Sequence, residues 1–239
     1  MINELLLIGT LLFYFAALVI SYKFFGRTGV YGFTVFAVVV ANVEVLMLVN
    51  AFGLDQTLGN VMFAVTYSAA KILSENEGEK GPDYAKKAAW LSVGTTGFFM
   101  IITQTWAWYT PVKGEGVGEM LQEVFANSPR IMLTSLAVYA ICMMIQIWSY
   151  KFVWMLQKFS DRGQWFRAIT STLFTQIWNT VLFAFGAFLG VYPFGVIVQI
   201  IIASYAIFII TSLWDMIVQL VTKHTCGKNH NILFKGVDE

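Results

Sequence analysis

The sequence predicts an all-α fold, a polytopic bundle of six or seven helices set in a membrane, and three observations carry that prediction. Charged residues make up 12% of the 239-residue chain and hydrophobic ones 58%, against roughly 25% charged in an ordinary soluble domain. So little charge cannot cover a water-facing surface. The apolar residues gather into seven stretches, each close to the ~20 residues that cross a ~30 Å hydrocarbon core as a helix. These runs show no period-two alternation, and backbone groups in lipid must be satisfied within the segment, which favours helices over barrel strands.

In chain order the stretches fall near residues 4–22, 30–52, 57–74, 89–110, 130–152, 167–190 and 195–221. The first begins at Glu4 without a basic leader, and Ser21-Tyr22-Lys23 is not a small-residue cleavage site. It therefore reads as a retained helix rather than a secretory signal. The longest connection, about 111–129, is Gly- and acid-rich and too short for a core of its own. Within it Met120 to Ala126 has the pattern of one or two amphipathic turns, but a solvated connector is the expectation. No internal duplication is visible, so residues 1–239 read as a single transmembrane domain. Cys142 lies in an apolar run and Cys226 in a polar tail, which gives neither a disulfide framework nor zinc spacing.

Orientation follows from the lysines and arginines, whose excess marks cytoplasmic loops. Lys23 and Arg27 stand in the first loop, Lys80, Lys86 and Lys87 in the third, Lys158 and Arg162 in the fifth with Lys151 and Arg167 at its flanks, and Lys223, Lys228 and Lys235 in the tail. The second and sixth loops have none, and the fourth offers only Lys113 and Arg130. This alternation predicts an outside N-terminus and a cytoplasmic C-terminus in a multi-pass protein of the cell membrane.

Polar residues inside the apolar stretches carry the functional signal, because an ionisable side chain at depth costs several kcal/mol unless paired or wetted. They are Asn42, Glu44 and Asn50 in the second stretch, Lys71, Ser74 and Glu75 at the end of the third, Thr103 and Gln104 in the fourth, Gln146 in the fifth, Thr175, Gln176 and Asn179 in the sixth, and Gln199 and Asp215 in the seventh. An amide there ordinarily cements two helices with a bond worth roughly 1 kcal/mol. Glu44 and Asp215 stand in runs of apolar residues and call for a partner or water. Lys71 is the natural partner for Glu44, or else it snorkels to the inner interface beside Glu75, Glu77 and Glu79.

Most aromatic side chains fit interfacial belts: Trp90, Trp106, Trp108, Tyr109 and Trp165 all lie near helix ends. Trp148, Trp178 and Trp214 lie deeper, each beside a polar residue, namely Gln146, Asn179 and Asp215. Core packing explains them, and so does stacking on a flat heterocycle whose edge the polar neighbour reads.

The formal net charge of +1 indicates no nucleic-acid partner. There is no P-loop, no dinucleotide glycine fingerprint and no His-Glu-x-x-His. His224, Cys226 and His230 are loose ligands on a tail. Neither a cofactor nor an ATPase of its own is expected, and no nucleophile–base pair suggests an enzyme.

The order of motifs resembles one family. Ala41-Asn42-Val43-Glu44, Phe52-Gly53, Leu58-Gly59-Asn60, Phe63, and Glu75 with Gly78 make up the front half; Ser128-Pro129-Arg130-Ile131 with Ser135-Leu136, Trp165-x-Arg167, Ser171-Thr172, Gln176, Thr180, Phe183, Phe188-Leu189-Gly190 and Asp215 make up the back. Together they look like the queuosine precursor transporter family, also called the vitamin uptake transporter family. That resemblance implies uptake of a 7-deazaguanine, such as 7-cyano- or 7-aminomethyl-7-deazaguanine or queuine, for queuosine in transfer RNA. A guanine-like edge presents two adjacent donors that one carboxylate accepts together. Glu44 or Asp215 is the expected acceptor, with Asn42, Lys71, Gln146, Gln176, Asn179, Trp178 and Trp214 completing the expected substrate-binding set.

Departures from the family pattern are equally visible. Glu44 stands where a Gln is expected, Met47 for a Lys, and Lys71, Gln146 and Asn179 for aspartates, so the site is re-charged. The leading expectation is a carrier whose helices rock around a midplane site. The alternative is the substrate-capturing membrane subunit of an energy-coupled vitamin uptake complex. Expected partners are membrane lipid and a nucleobase-like small molecule, and a homo-oligomer is left open.

Overall fold

The computed structural model describes residues 2–51, 53–109, 117–156 and 163–226. Among them are α1 (Ile2–Glu44), α2 (Gly59–Asn76), α3 (Gly81–Tyr109), α4 (Val117–Asn127), α5 (Pro129–Leu156), α6 (Gln164–Phe188) and α7 (Phe194–Cys226), with one small hairpin of β1 (Leu48–Ala51) and β2 (Leu54–Thr57). The fold is all-α, as the apolar runs predict. Phe52, Lys113, Lys158, Arg162, Lys228, His230 and Lys235 lie outside the described residues.

Helix α1 has 43 residues and would run about 65 Å if straight, at 1.5 Å per residue. It is broken at Gly26, whose φ of 57° and ψ of −141° lie where only glycine sits without strain. The halves fold back on each other, because the Tyr14 hydroxyl donates to Glu44 Oε1 at 2.9 Å across thirty residues. Gly29 makes the reversal tight, since a Cβ there would stand 2.2 Å from the Ser21 carbonyl oxygen. The two predicted helices thus share one helical element, joined by a break instead of a loop.

The second stretch ends sooner as helix than its hydrophobicity predicts. After Glu44 the chain enters the antiparallel hairpin, registered Leu48↔Thr57, Val49↔Gln56, Asn50↔Asp55 and Ala51↔Leu54, with Gly53 (φ 71°) supplying the left-handed residue in the connection. Helix α2 follows and is buried without interruption from Gly59 to Ser74, packed by α1, α3, α5 and α7. Helix α3 begins well before its apolar part, started by Pro82 and Asp83 in its first turn, where a missing N–H and a negative charge are both favourable.

Helix α4 corrects the expectation of a solvated connector. Valine, methionine, leucine and phenylalanine recur at 117, 120, 121, 124 and 125, a helical period, and Trp108 Nε1 donates to the Ala126 carbonyl at 3.3 Å, tying α4 to the end of α3. Arg130 on α5 donates to the carbonyls of Gly186 and Leu189 at 3.1 and 2.6 Å, which satisfies the C-terminal end of α6.

The exterior is apolar. Phe13, Phe24, Phe98, Ile101 and Ile202 are all more than 60% exposed, whereas asparagines, glutamines, a lysine and an aspartate are inside. That inversion suits a protein solvated by lipid. Residues Ile2–Glu44, Pro129–Leu156 and Phe194–Thr222 are long and apolar enough to cross a membrane. Arg27 lies over the Tyr84 ring at 4.2 Å and Arg167 contacts Glu75, so the break in α1, the end of α2, the start of α3 and the start of α6 meet at one end of the bundle. Lys80, Lys86 and Lys87 belong to that same end.

Candidate functional site

A column of polar side chains runs between α2, α5, α6 and α7. Helical periodicity aligns it: Ser68, Lys71 and Glu75 share a face of α2, Thr172, Gln176 and Asn179 a face of α6, and Asp215 and Gln219 a face of α7. Lys71 meets Thr172, Tyr67 meets Asn179 and Glu75 meets Arg167, so α2 and α6 run antiparallel along the column.

At its centre Lys71 Nζ is paired with Asp215 Oδ2 and donates to Thr172 Oγ1 at 2.5 Å. Ser68 Oγ donates to the other carboxylate oxygen, and Thr172 Oγ1 lies 3.3 Å from Oδ2. Lys71 is 1% exposed and Asp215 2%. Gln219 braces the pair from α7 by donating to the Ser68 carbonyl at 3.1 Å. Two charges this deep hold each other in place, and removing either would leave the other uncompensated. Lys71 therefore neither snorkels nor pairs with Glu44, as its sequence neighbourhood suggested. Its counter-ion comes from the last helix.

The amides flank this centre. Gln146 Nε2 donates to Ser171 Oγ at 2.9 Å, while its Oε1 has no hydrogen-bond partner among the described residues. Gln176 is fully buried, one turn from Thr172, and neither its Oε1 nor its Nε2 has a partner among them. Asn179 Oδ1 accepts from the Tyr67 hydroxyl at 3.4 Å. A buried amide left unpaired costs about 1–3 kcal/mol, so Gln176 presents a donor and an acceptor together at a net expense to the fold.

One turn towards the basic end lies a second pair. Arg167 donates to Glu75 Oε1 at 2.5 Å, the Tyr150 hydroxyl donates to Glu75 Oε2 at 2.6 Å, and the guanidinium lies 4.7 Å from the Trp154 ring centroid. The sequence reading left Glu75 and Arg167 out of the binding set, along with Ser68, Tyr67 and Thr172. Their signal was spacing, since Ser68 and Glu75 stand three before and four after Lys71, and Thr172 four before Gln176.

The remaining expected residues lie elsewhere. Asn42 donates to its own helix at the Val38 carbonyl, 2.9 Å away. Glu44 is half-buried and held by Tyr14. Trp178, two residues past Gln176, points outward and is 45% exposed. Trp214 is partly buried against the main core beside Asp215. The structure thus brings Lys71, Gln146, Gln176, Asn179 and Asp215 along one column and keeps Asn42, Glu44 and Trp178 apart from it.

Lipid-facing apolar helices wrapped round a closed polar interior are the build of a helical membrane transporter, and the comparisons with known proteins agree. A family model described as "Putative vitamin uptake transporter" matches residues 57–222. A protein of Bacillus subtilis (strain 168), named "Probable queuosine precursor transporter", is 32% identical over 207 residues, covering 87% of this chain and 89% of that protein. The chain belongs to the vitamin uptake transporter family, the family of queuosine precursor transporters whose motifs it carries. No solved structure matches it.

Proposed function

We propose that this chain is a carrier importing a 7-deazaguanine precursor of queuosine, with the Lys71–Asp215 column as its binding site and no ATPase of its own. The single observation that carries the reading is Gln176: fully buried, unpaired at both amide atoms among the described residues, and one turn from a buried ion pair. A ligand in the column would satisfy both atoms. A guanine-like edge offers one carbonyl acceptor and two adjacent N–H donors. Gln176 supplies a donor for the carbonyl and an acceptor for a ring N–H, Gln146 Oε1 offers a second acceptor, and the Lys71–Asp215 pair lies beside them. The name of the Bacillus subtilis relative supports the substrate class.

In this reading the two halves of α1 and helices α2, α3, α5, α6 and α7 cross the bilayer, seven crossings in all, with the basic end cytoplasmic. The column is closed in this conformation, and access alternates by rocking of helices around it. The test is uptake of individual 7-deazaguanines into cells unable to synthesise them, scored as queuosine in transfer RNA. Restoration by this chain alone is expected. Restoration that required an added ATPase pair would point to the capture subunit of an energy-coupled complex. Gln176→Leu should cut uptake by about tenfold while leaving stability unchanged or raised, because a buried unpaired amide is lost. Full uptake by that variant would remove Gln176 from the site.

A further inference from the structure

We propose that the column admits an electrically neutral 7-deazaguanine and discriminates against one bearing an ammonium group, because Lys71 already occupies the cation position at Asp215. The inference rests on the assignment of a 7-deazaguanine substrate and concerns which kind is taken.

The argument is a charge count along the column. Among the described residues its centre holds one cation and one anion, Lys71 and Asp215, and the pair one turn away, Arg167 and Glu75, is balanced as well. The remaining groups, Ser68, Gln146, Ser171, Thr172, Gln176 and Asn179, are amides and hydroxyls. The sum is zero.

Asp215 has little left to offer a second cation. One carboxylate oxygen accepts from Ser68, and the other is engaged by Lys71 with Thr172 3.3 Å away. An incoming ammonium would share that carboxylate with Lys71, placing two like charges within several ångströms in a poorly screened interior. At an effective dielectric constant of ~20, this repulsion amounts to about tenfold or more in affinity. A neutral heterocycle meets no such barrier. The unpaired atoms at hand, Gln176 Oε1 and Nε2 and Gln146 Oε1, offer an uncharged donor and acceptors, which suit ring N–H and carbonyl groups.

Two substrates of one scaffold separate the cases. A 7-cyano substituent is neutral, whereas a 7-aminomethyl group is a primary amine that is protonated at pH 7, as a lysine side chain is. The experiment measures uptake of each compound at pH 7 by cells lacking the biosynthetic route and expressing the full chain, with each also tried as competitor of the other. Uptake of the cyano compound should exceed that of the aminomethyl compound by about tenfold or more, with poor competition by the latter. Lys71→Met leaves Asp215 without its counter-ion and should move the ratio at least about tenfold towards the aminomethyl compound, while Lys71→Arg should keep the preference of the unaltered chain.

Equal handling of the two compounds by the unaltered chain overturns the inference and leaves the substrate class standing. So does an unchanged ratio in a membrane-inserted Lys71→Met variant. If that variant does not reach the membrane, competition in vesicles at pH 7 and pH 10 decides. The aminomethyl compound should compete better where part of it has lost its proton, and no change overturns the inference. Uptake of neither compound overturns the substrate assignment and this inference with it.

Discussion

Two ion pairs link α2 to later helices one turn apart, and they are built from different materials. Lys71–Asp215 is sealed, its side chains 1% and 3% exposed, and its other partners are the hydroxyls of Ser68 and Thr172. Arg167–Glu75 is 12% and 10% exposed and is backed by the Tyr150 hydroxyl and the Trp154 ring. Lysine is a compact charge on a flexible stem, whereas the planar guanidinium of arginine is held by geometry and stacking. The contrast separates two tasks. A lysine among hydroxyls can change partners when a ligand arrives, while an arginine clamped between a carboxylate and an indole fixes helix ends.

The largest effect should come from splitting the first pair. Asp215→Asn or Lys71→Met leaves one buried charge alone and is expected to cost about 3–5 kcal/mol, read as thermal unfolding in detergent, with lower uptake of the neutral compound. The double variant Lys71→Met/Asp215→Leu should recover most of that stability and none of the uptake. A double variant as unstable as either single one would mean that the pair itself holds the bundle together, and the contrast would fail.

A smaller effect is expected at the second pair. Glu75→Gln keeps the shape and an acceptor for Tyr150 but removes the charge, at about 1–3 kcal/mol of stability. Maximal uptake should fall while apparent substrate affinity stays put. A change in affinity instead would extend the binding site to the basic end. The smallest effect should be at Trp178, whose ring faces outward: Trp178→Leu is expected to alter stability by no more than about 0.5 kcal/mol and uptake by less than twofold. A large loss of uptake would bring that ring back to the substrate.

Much of the fold was legible because lipid imposes a length on every apolar run. The fifth stretch, 130–152, became α5 (Pro129–Leu156), and the seventh, 195–221, became α7 (Phe194–Cys226). Hydrophobicity failed where it stopped being the deciding force. Residues 48–51 lie in an apolar run that predicts helix, yet pairing with 54–57 and the left-handed Gly53 draws them into a hairpin. At α3 the helix outruns its apolar part, because Pro82 and Asp83 start it among polar residues. Helix α4 was visible as a period, but its tie to Trp108 was not.

Of the site, the residue types were legible and the partnerships were not. Gln146, Gln176, Asn179 and Asp215 stood out as polar groups in apolar runs, and the structure aligns them. The sequence offers Lys71 either Glu44 or the inner interface, yet its partner is 144 residues away, a distance no local pattern reports. Glu44 and Trp178 lie off the column: one bonds within the α1 hairpin and the other points outward.

The separation of Lys71 from Asp215 also has a consequence for how the protein is made. A ribosome delivers α2 well before α7, so until α7 is made Lys71 sits on a nascent helix without its native counter-charge. A chain truncated before α7 retains a lysine without its carboxylate, which is costly inside a bilayer. Synthesis of α7 cancels that cost, so Asp215 ties the stability of α2 to a helix made much later.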